Sequence, residues 1–286
     1  MTRHRNLRHV VAICILSVFI IGTSVPQLIQ KRPQSFDHTY TAYGELLHRY
    51  IAGTRVNYTH LTRDRVALDA VAADIGIVSE DEFKSWTREE QIAYWINAYN
   101  IFTLQAIVNH YPIRRRWFSW LTFSPHNSIK QIPGVWTGLQ WHGAGHELTL
   151  DEIEHGILRK QYDEPRIHFA VNCAAISCPP LRSEPYIGIQ LDEQLSQAAR
   201  DFLNSDLGLQ IDGSTLLVSK IFDWYGEDFF SNYAESIDTK YSSLEQAILG
   251  FVAAYGPLEA VRLIQDEMAR IKFLKYNWAL NDNSPD

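Results

Sequence analysis

The residues best suited to chemistry lie in one stretch, RIHFAVNCAAISCPPLRSEPY, running from Arg166 to Tyr186, which carries His168, Asn172, Cys173 and Cys178. A nucleophilic cysteine needs a nearby cation or base to hold its thiolate, and His168 is the natural partner. If RIHFAVN is a short buried strand, alternation puts His168, Ala170 and Asn172 on one face and Cys173 on the other. The AAIS loop can return the second sulfur toward the histidine, and Pro179 keeps Cys178 extended, so the spacing favours Cys178 over Cys173 as its partner. The competing reading is a bond: with Cys14 in the leader, these are the only two cysteines of the remaining chain, and an oxidising compartment would join them. So short a loop would stabilise by at most roughly 2 to 3 kcal/mol, and the bond would be either structural or, if strained, redox-labile. Two reduced thiols in plain packing are the third reading.

A second set of candidates is polar residues on apolar faces. In LTLDEIEHGILR, Leu150, Ile153, Ile157 and Leu158 make a helical core face, with Glu154 in its middle. A carboxylate there must be paired, protonated or functional; Arg166 and Arg182 are its candidate partners. In TREEQIAYWINAYNIFTLQAIVNHYP, Asn97 and Asn100 fall within or beside the apolar face. Together with Asn172 they predict either a satisfied buried network or a pocket for a polar ligand. His142, His146, His155 and His168 form no H-E-x-x-H, and the cysteines form no C-x-x-C, so neither a metal nor another cofactor is expected. The aromatic strings FDWYGEDFF and YNWAL read as core anchors.

The elements that must position these groups are mainly helical. Thr87 with Glu90, and Thr149 with Glu152, repeat the spacing of a capping box, and Pro112 stops the first of these helices after His110. A hairpin is expected around Gly143 to Gly145, and another, LQIDGSTLLVS, around Asp212-Gly213. SLEQAILGFVAAYG and PLEAVRLIQ read as helices. No repeat or low-complexity linker interrupts residues 33–286. The expectation is therefore a mainly helical α+β single domain around a small sheet with hairpins.

Ahead of that domain, residues 1–32 place Arg3, Arg5 and Arg8 before an apolar run from Val10 to Val25, the pattern of an export leader. It predicts either a signal peptide cleaved near Gly22 to Ser24 or a short signal anchor of about 24 Å, against roughly 30 Å of hydrocarbon. Five of the 26 basic residues, and no acid, lie in this leader. The remainder thus carries 21 basic against 33 acidic side chains, a formal charge of −12 that argues against nucleic acid as a partner. The cluster Arg114, Arg115, Arg116, Trp117, Phe118 and Trp120 reads as solvated charge over core aromatics.

VNYTHL at Val56, WTREEQIAYWINAYN at Trp86, HYPI at His110, LTLDEIEHGILR at Leu148, the cysteine stretch, LVSKIFDWYGEDF at Leu217 and IKFLKYNWALN at Ile271 together resemble the domain of unknown function 547 family, from about residue 56 to residue 281. Asn57 and Asn277 depart from it, standing where related sequences commonly have an acid. The resemblance implies an exported or membrane-associated bacterial protein and brings no established reaction. The first functional expectation is a periplasmic or inner-membrane-anchored envelope module, binding a small polar ligand or an envelope protein through Asn97, Asn100 and Asn172. The alternative is a cysteine-dependent hydrolase or transferase using Cys178 or Cys173 with His168, and Glu154 or an Asn as orienter.

Overall fold

The Thr87/Glu90 pattern marks the start of the central helix. In a computed structural model that describes residues 35–114, 125–234 and 241–283, the Glu90 N–H donates to Thr87 Oγ1 (3.2 Å) and the Thr87 N–H to Glu90 Oε2 (2.9 Å). The leader with Cys14, and Arg115 to Trp120 of the arginine and aromatic cluster, lie outside the described residues. In chain order, α1 (Thr41–Tyr50), the hairpin β1 (Ile51–Ala52) and β2 (Arg55–Val56), α2 (Tyr58–Arg63), α3 (Arg65–Gly76) and α4 (Glu80–Lys84) lead into α5 (Arg88–His110). Helix α5 is buried on every face from Ile92 to Leu104, as a helix apolar all round must be, and packs against α2, α3 and the 152–158 segment.

The hairpin β3 (Trp141–Gly143) and β4 (His146–Leu148) turns through Ala144 and Gly145, both at positive φ, as its sequence predicts. Thr149 and Glu152 then form the second reciprocal cap, with the Glu152 N–H on Thr149 Oγ1 at 3.2 Å and the Thr149 N–H on Glu152 Oε2 at 2.8 Å. The helix they open is wound as a π-helix over Glu152–Leu158, where the Arg159 N–H reaches back to the Glu154 carbonyl, and closes in α6 (Arg159–Gln161).

A second core forms around α7 (Leu191–Leu203), the antiparallel hairpin β5 (Leu209–Asp212) and β6 (Thr215–Val218), α8 (Ile221–Trp224), α9 (Phe230–Tyr233), α10 (Ser243–Tyr255), α11 (Leu258–Gln265) and β7 (Arg270–Phe273), which pairs parallel with β6. Its centre is five buried phenylalanines, Phe169, Phe202, Phe222, Phe229 and Phe251, with the Phe169 and Phe251 rings stacked at 5.0 Å. Each contributes roughly 1.5 to 3 kcal/mol by burial. The architecture is the expected α+β one, mainly helical with sheets of two and three strands. Among the described residues, no helix is long and apolar enough to cross a membrane.

One expected element is not there. RIHFAVN is not a strand: Pro165–Phe169 is a 3-10 helix, started by Pro165 at its first turn and by the Arg166 N–H on Glu164 Oε1 (3.2 Å). Ile167 to Asn172 are all buried, so the run has no alternation to specify a strand, and a short apolar run alone does not distinguish the two conformations. The argument that alternation turns Cys173 away from His168 loses its basis.

Candidate functional site

The cysteine loop is built by amides. The Asn100 side chain accepts from the Asn172 N–H (2.8 Å) and donates to the Ala170 carbonyl (3.0 Å), fixing the chain on both sides of Val171. The Asn172 side chain donates to the Pro179 carbonyl (2.7 Å) and accepts from the Ala174 N–H (2.9 Å), which ties the two ends of the loop together. Asn97 does the same for Tyr186, donating to its carbonyl at 2.7 Å and accepting from its N–H at 3.0 Å. All three amides are buried, as expected, and each side chain is occupied at both ends by backbone. None of the three is among the residues that line the cavity beside the cysteines, so there they hold the site's walls.

Between those ends Ala174 sits at φ 58°, a left-handed conformation that costs an alanine roughly 1 to 2 kcal/mol. It is held there by the Asn172 side chain and by the strap that follows β7: the Asn281 N–H donates to the Ala174 carbonyl (3.0 Å), the Ile176 N–H to Ala279 (2.8 Å), and Ala175 bridges to Leu280. Asn277, one of the two family departures, gives its N–H to Ser177 Oγ (2.9 Å) and takes that of Ala279 on its side chain (3.0 Å). Asn57, the other, caps α2 by accepting from the His60 N–H (3.0 Å).

The strained loop brings both sulfurs to the wall of a cavity of about 390 Å³, within the size range of small-molecule sites. Glu154, His168, Cys173 and Cys178, the four catalytic candidates, all line it. The expected disulfide is absent: Cys173 and Cys178 are free thiols with sulfurs 2.7 Å apart. They are not equivalent. Cys173 is partly exposed and its sulfur lies 3.2 Å from the Tyr276 hydroxyl, whereas Cys178 is buried and accepts the Cys173 N–H at 2.9 Å. The hydrogen bond with Cys178, with help from Tyr276 and the Ala175 N–H, pulls the Cys173 pKa below the ordinary thiol value despite burial and the nearby Glu154. Burial, then the neighbouring Cys173, push Cys178 far above it.

His168 bonds neither sulfur. Its Nε2 lies 2.6 Å from Asp228 Oδ2, and Arg159 completes the carboxylate with Nε on Oδ2 (2.6 Å) and Nη2 on Oδ1 (2.9 Å). The hydrogen bonds from His168 and Arg159 outweigh burial and hold Asp228 ionised, well below the usual carboxylate range. An ionised acceptor places a His168 proton on Nε2 and leaves Nδ1 as the nitrogen that can exchange one with a group in the cavity. The orienter of this histidine is thus Asp228, not Glu154 or an asparagine. The ring stacks on Tyr225 at 4.3 Å.

Glu154 is buried, at 8% exposure, as its place on the core face requires. It has neither arginine partner: Arg166 pairs with Glu164 (2.6 Å) and Asp192 (2.8 Å), and Arg182 with Glu184. Its carboxylate faces phenols instead. Burial first and Glu154 second raise both Tyr99 and Tyr225 far above the ordinary phenol range, keeping both hydroxyls protonated. Beside it, His155 accepts on Nδ1 from Arg159 (3.0 Å), so its proton sits on Nε2 toward Asp151 (3.6 Å). A π-helix carrying cavity residues is the usual context of that rare winding.

The aromatic strings are misjudged as core anchors alone. Phe222 and Phe229 are core, but Trp224, Tyr225, Tyr276 and Trp278 are cavity wall, and Lys130 lays its Nζ 3.7 Å from the Trp278 ring centre. Residue spacing in the sequence points only to the cysteine loop; Asp228 and Tyr276 carry no local signature, since their partners lie 60 and 103 residues away.

Fold and cavity together define a mainly helical α+β domain whose partly exposed thiol is backed by a buried one. Residues 83–203 match the model of the family described as "Protein of unknown function, DUF547", the family that the motifs resemble. The match contains Glu154, His168, Cys173 and Cys178 and ends before Asp228 and Tyr276. No curated protein and no solved structure matches the chain.

Proposed function

We propose that the chain is a cysteine-dependent hydrolase or transferase of the cell envelope, with Cys173 rather than Cys178 as nucleophile. The observation that carries this reading is Cys173 itself: partly exposed on a cavity, with Cys178 and Tyr276 within hydrogen-bond reach of its sulfur. In the proposed reaction the Cys173 sulfur attacks an acyl carbon as its thiol proton passes to His168, and His168, oriented by Asp228, gives that proton to the leaving group. The same histidine then takes the proton of the water or alcohol that releases the acyl group. The aromatic walls suit an acyl donor with an apolar portion of small-molecule size. Export, through a leader that is either cleaved or kept as an anchor, rests on the arginines and apolar run of residues 1–32.

The test is an acyl–enzyme trap. p-Nitrophenyl acetate should give a burst of p-nitrophenolate stoichiometric with protein, and peptide mapping should place the acetyl group on Cys173. Absence of a burst in the reduced protein, or acetylation of Cys173→Ser to the same extent, would overturn the assignment.

A further inference from the structure

The nucleophile has a neighbour that an acyl transfer does not need. Cys178 is 5% exposed and meets the cavity far less openly than the half-buried Cys173, and its sulfur lies 2.7 Å from that of Cys173. The juxtaposition is built in at three points: the Cys173 N–H on Cys178 Sγ (2.9 Å), the Cys178 N–H on the Ala175 carbonyl (3.1 Å), and the Asn172 side chain spanning to Pro179 (2.7 Å). Groups held this way react at effective concentrations far above any in solution. We propose that Cys178 is the resolving thiol of Cys173, so that a low-molecular-weight disulfide entering the cavity is reduced there and the pair closes on itself.

The exchange balances. The Cys173 thiolate attacks one sulfur of the small disulfide, R–S–S–R; the Cys173–S–S–R bond forms, the S–S bond of the reagent breaks, and one RS⁻ leaves. Cys178 sulfur then attacks Cys173 sulfur, the Cys173–Cys178 bond forms, the second RS⁻ leaves, and the Cys178 proton goes with the departing thiolate. Two protein thiols are oxidised and one small disulfide is reduced to two thiols. An external dithiol reverses the sequence. The division of labour follows from access: the thiol open to the cavity carries the low pKa suited to attack, and the buried one stays protonated until a mixed disulfide forms beside it. The closed pair has no thiolate, so the acyl reaction would stop in the oxidised protein.

Oxidised glutathione is a suitable probe, added to the fully reduced protein under conditions that keep excess thiol absent. The expected product is protein lighter by the two thiol hydrogens, a Cys173–Cys178 peptide on mapping, and two glutathione molecules released per chain. In Cys178→Ser the reaction should halt at one glutathione on Cys173, with a mixed-disulfide lifetime longer by a factor on the order of 1000 or more. The wild-type stoichiometry stands even if that variant fails to fold. Wild-type protein that accumulates a stable glutathione adduct, or that first carries glutathione on Cys178, overturns the proposal. The p-nitrophenyl acetate burst separates the two readings: a burst with a stable adduct removes only the resolving role, and rapid closure with no burst removes only the acyl transfer.

Discussion

Replacing Tyr276 by Phe removes one of the three donors that serve the Cys173 thiolate and leaves the ring against Trp224 and Trp278, at 4.8 and 4.6 Å. The hydroxyl is 3.2 Å from the sulfur. A hydrogen bond to a charged group contributes about 1.5 to 3 kcal/mol, and a sulfur acceptor lies at the low end of that range. At 1.36 kcal/mol per unit, the Cys173 pKa should rise by about one unit. Glu154→Gln works in the other direction, because the carboxylate opposes the thiolate through space, so its loss should lower the same pKa. The assay is the rate of Cys173 alkylation by iodoacetamide as a function of pH, with the labelled peptide counted by mass, since only the thiolate reacts. The midpoint should move up in Tyr276→Phe and down in Glu154→Gln, with the plateau rate unchanged at high pH. A midpoint that stays put in both variants, or that moves the same way in both, would refute this account of how the thiolate is held.

Three further outcomes follow from the packing around the site. Asp228→Asn should destabilise by about 2 to 4 kcal/mol in urea titration at neutral pH, because it leaves Arg159 and His168 without their shared anion. The Asp228 pKa is depressed in the folded state, so its stabilisation is fully present above the unfolded value near pH 4 and is lost as pH falls below it. The gap between wild type and variant should therefore narrow toward pH 2, and a gap independent of pH would contradict the ion-pair reading. Asn100→Ala removes two buried hydrogen bonds to the backbone and should cost about 2 to 4 kcal/mol by the same titration, whereas a change within roughly 0.5 kcal/mol would mean the loop is held by other contacts. Ala174→Gly relieves a positive φ worth roughly 1 to 2 kcal/mol and adds about 0.5 to 1 kcal/mol of glycine entropy, so thermal unfolding should show a small net gain, and a clear loss would show that the alanine methyl packs usefully.

Much of the scaffold can be read from local patterns. The two capping boxes, the β3–β4 and β5–β6 hairpins and the all-round burial of α5 each depend on residues within a few positions of one another, and each is found. The burial of Asn97, Asn100 and Glu154 follows from the helical faces they occupy. Their partners do not, because a helical wheel says nothing about what arrives from elsewhere: phenols meet Glu154 where an arginine was expected, and backbone fills the amides. The conformation of the 165–172 segment is illegible because Ile167 to Asn172 are all buried and show no alternation. Choosing between the sulfurs takes Tyr276 from the far end of the described chain, and the histidine's anion takes Asp228, whose partner lies 60 residues away and leaves no local pattern.

The strap that follows β7 gives the chain an order of events. Val56 donates its N–H to Asn281 and accepts that of Asn283, both at 2.9 Å, while Tyr58 reaches Asn281 at 2.8 Å, so early and late segments are laced together across the cysteine loop. Such contacts close some of the longest loops in the molecule and form only once most of the polypeptide is in place. A chain still being synthesised would hold α5, the π-helix and both cysteines with no strap to lock the Ala174 turn and no Tyr276 beside the sulfur. The surroundings of the Cys173 sulfur would be completed last, and a product truncated before Tyr276 would keep the whole family-matched region yet lack the hydroxyl beside that sulfur.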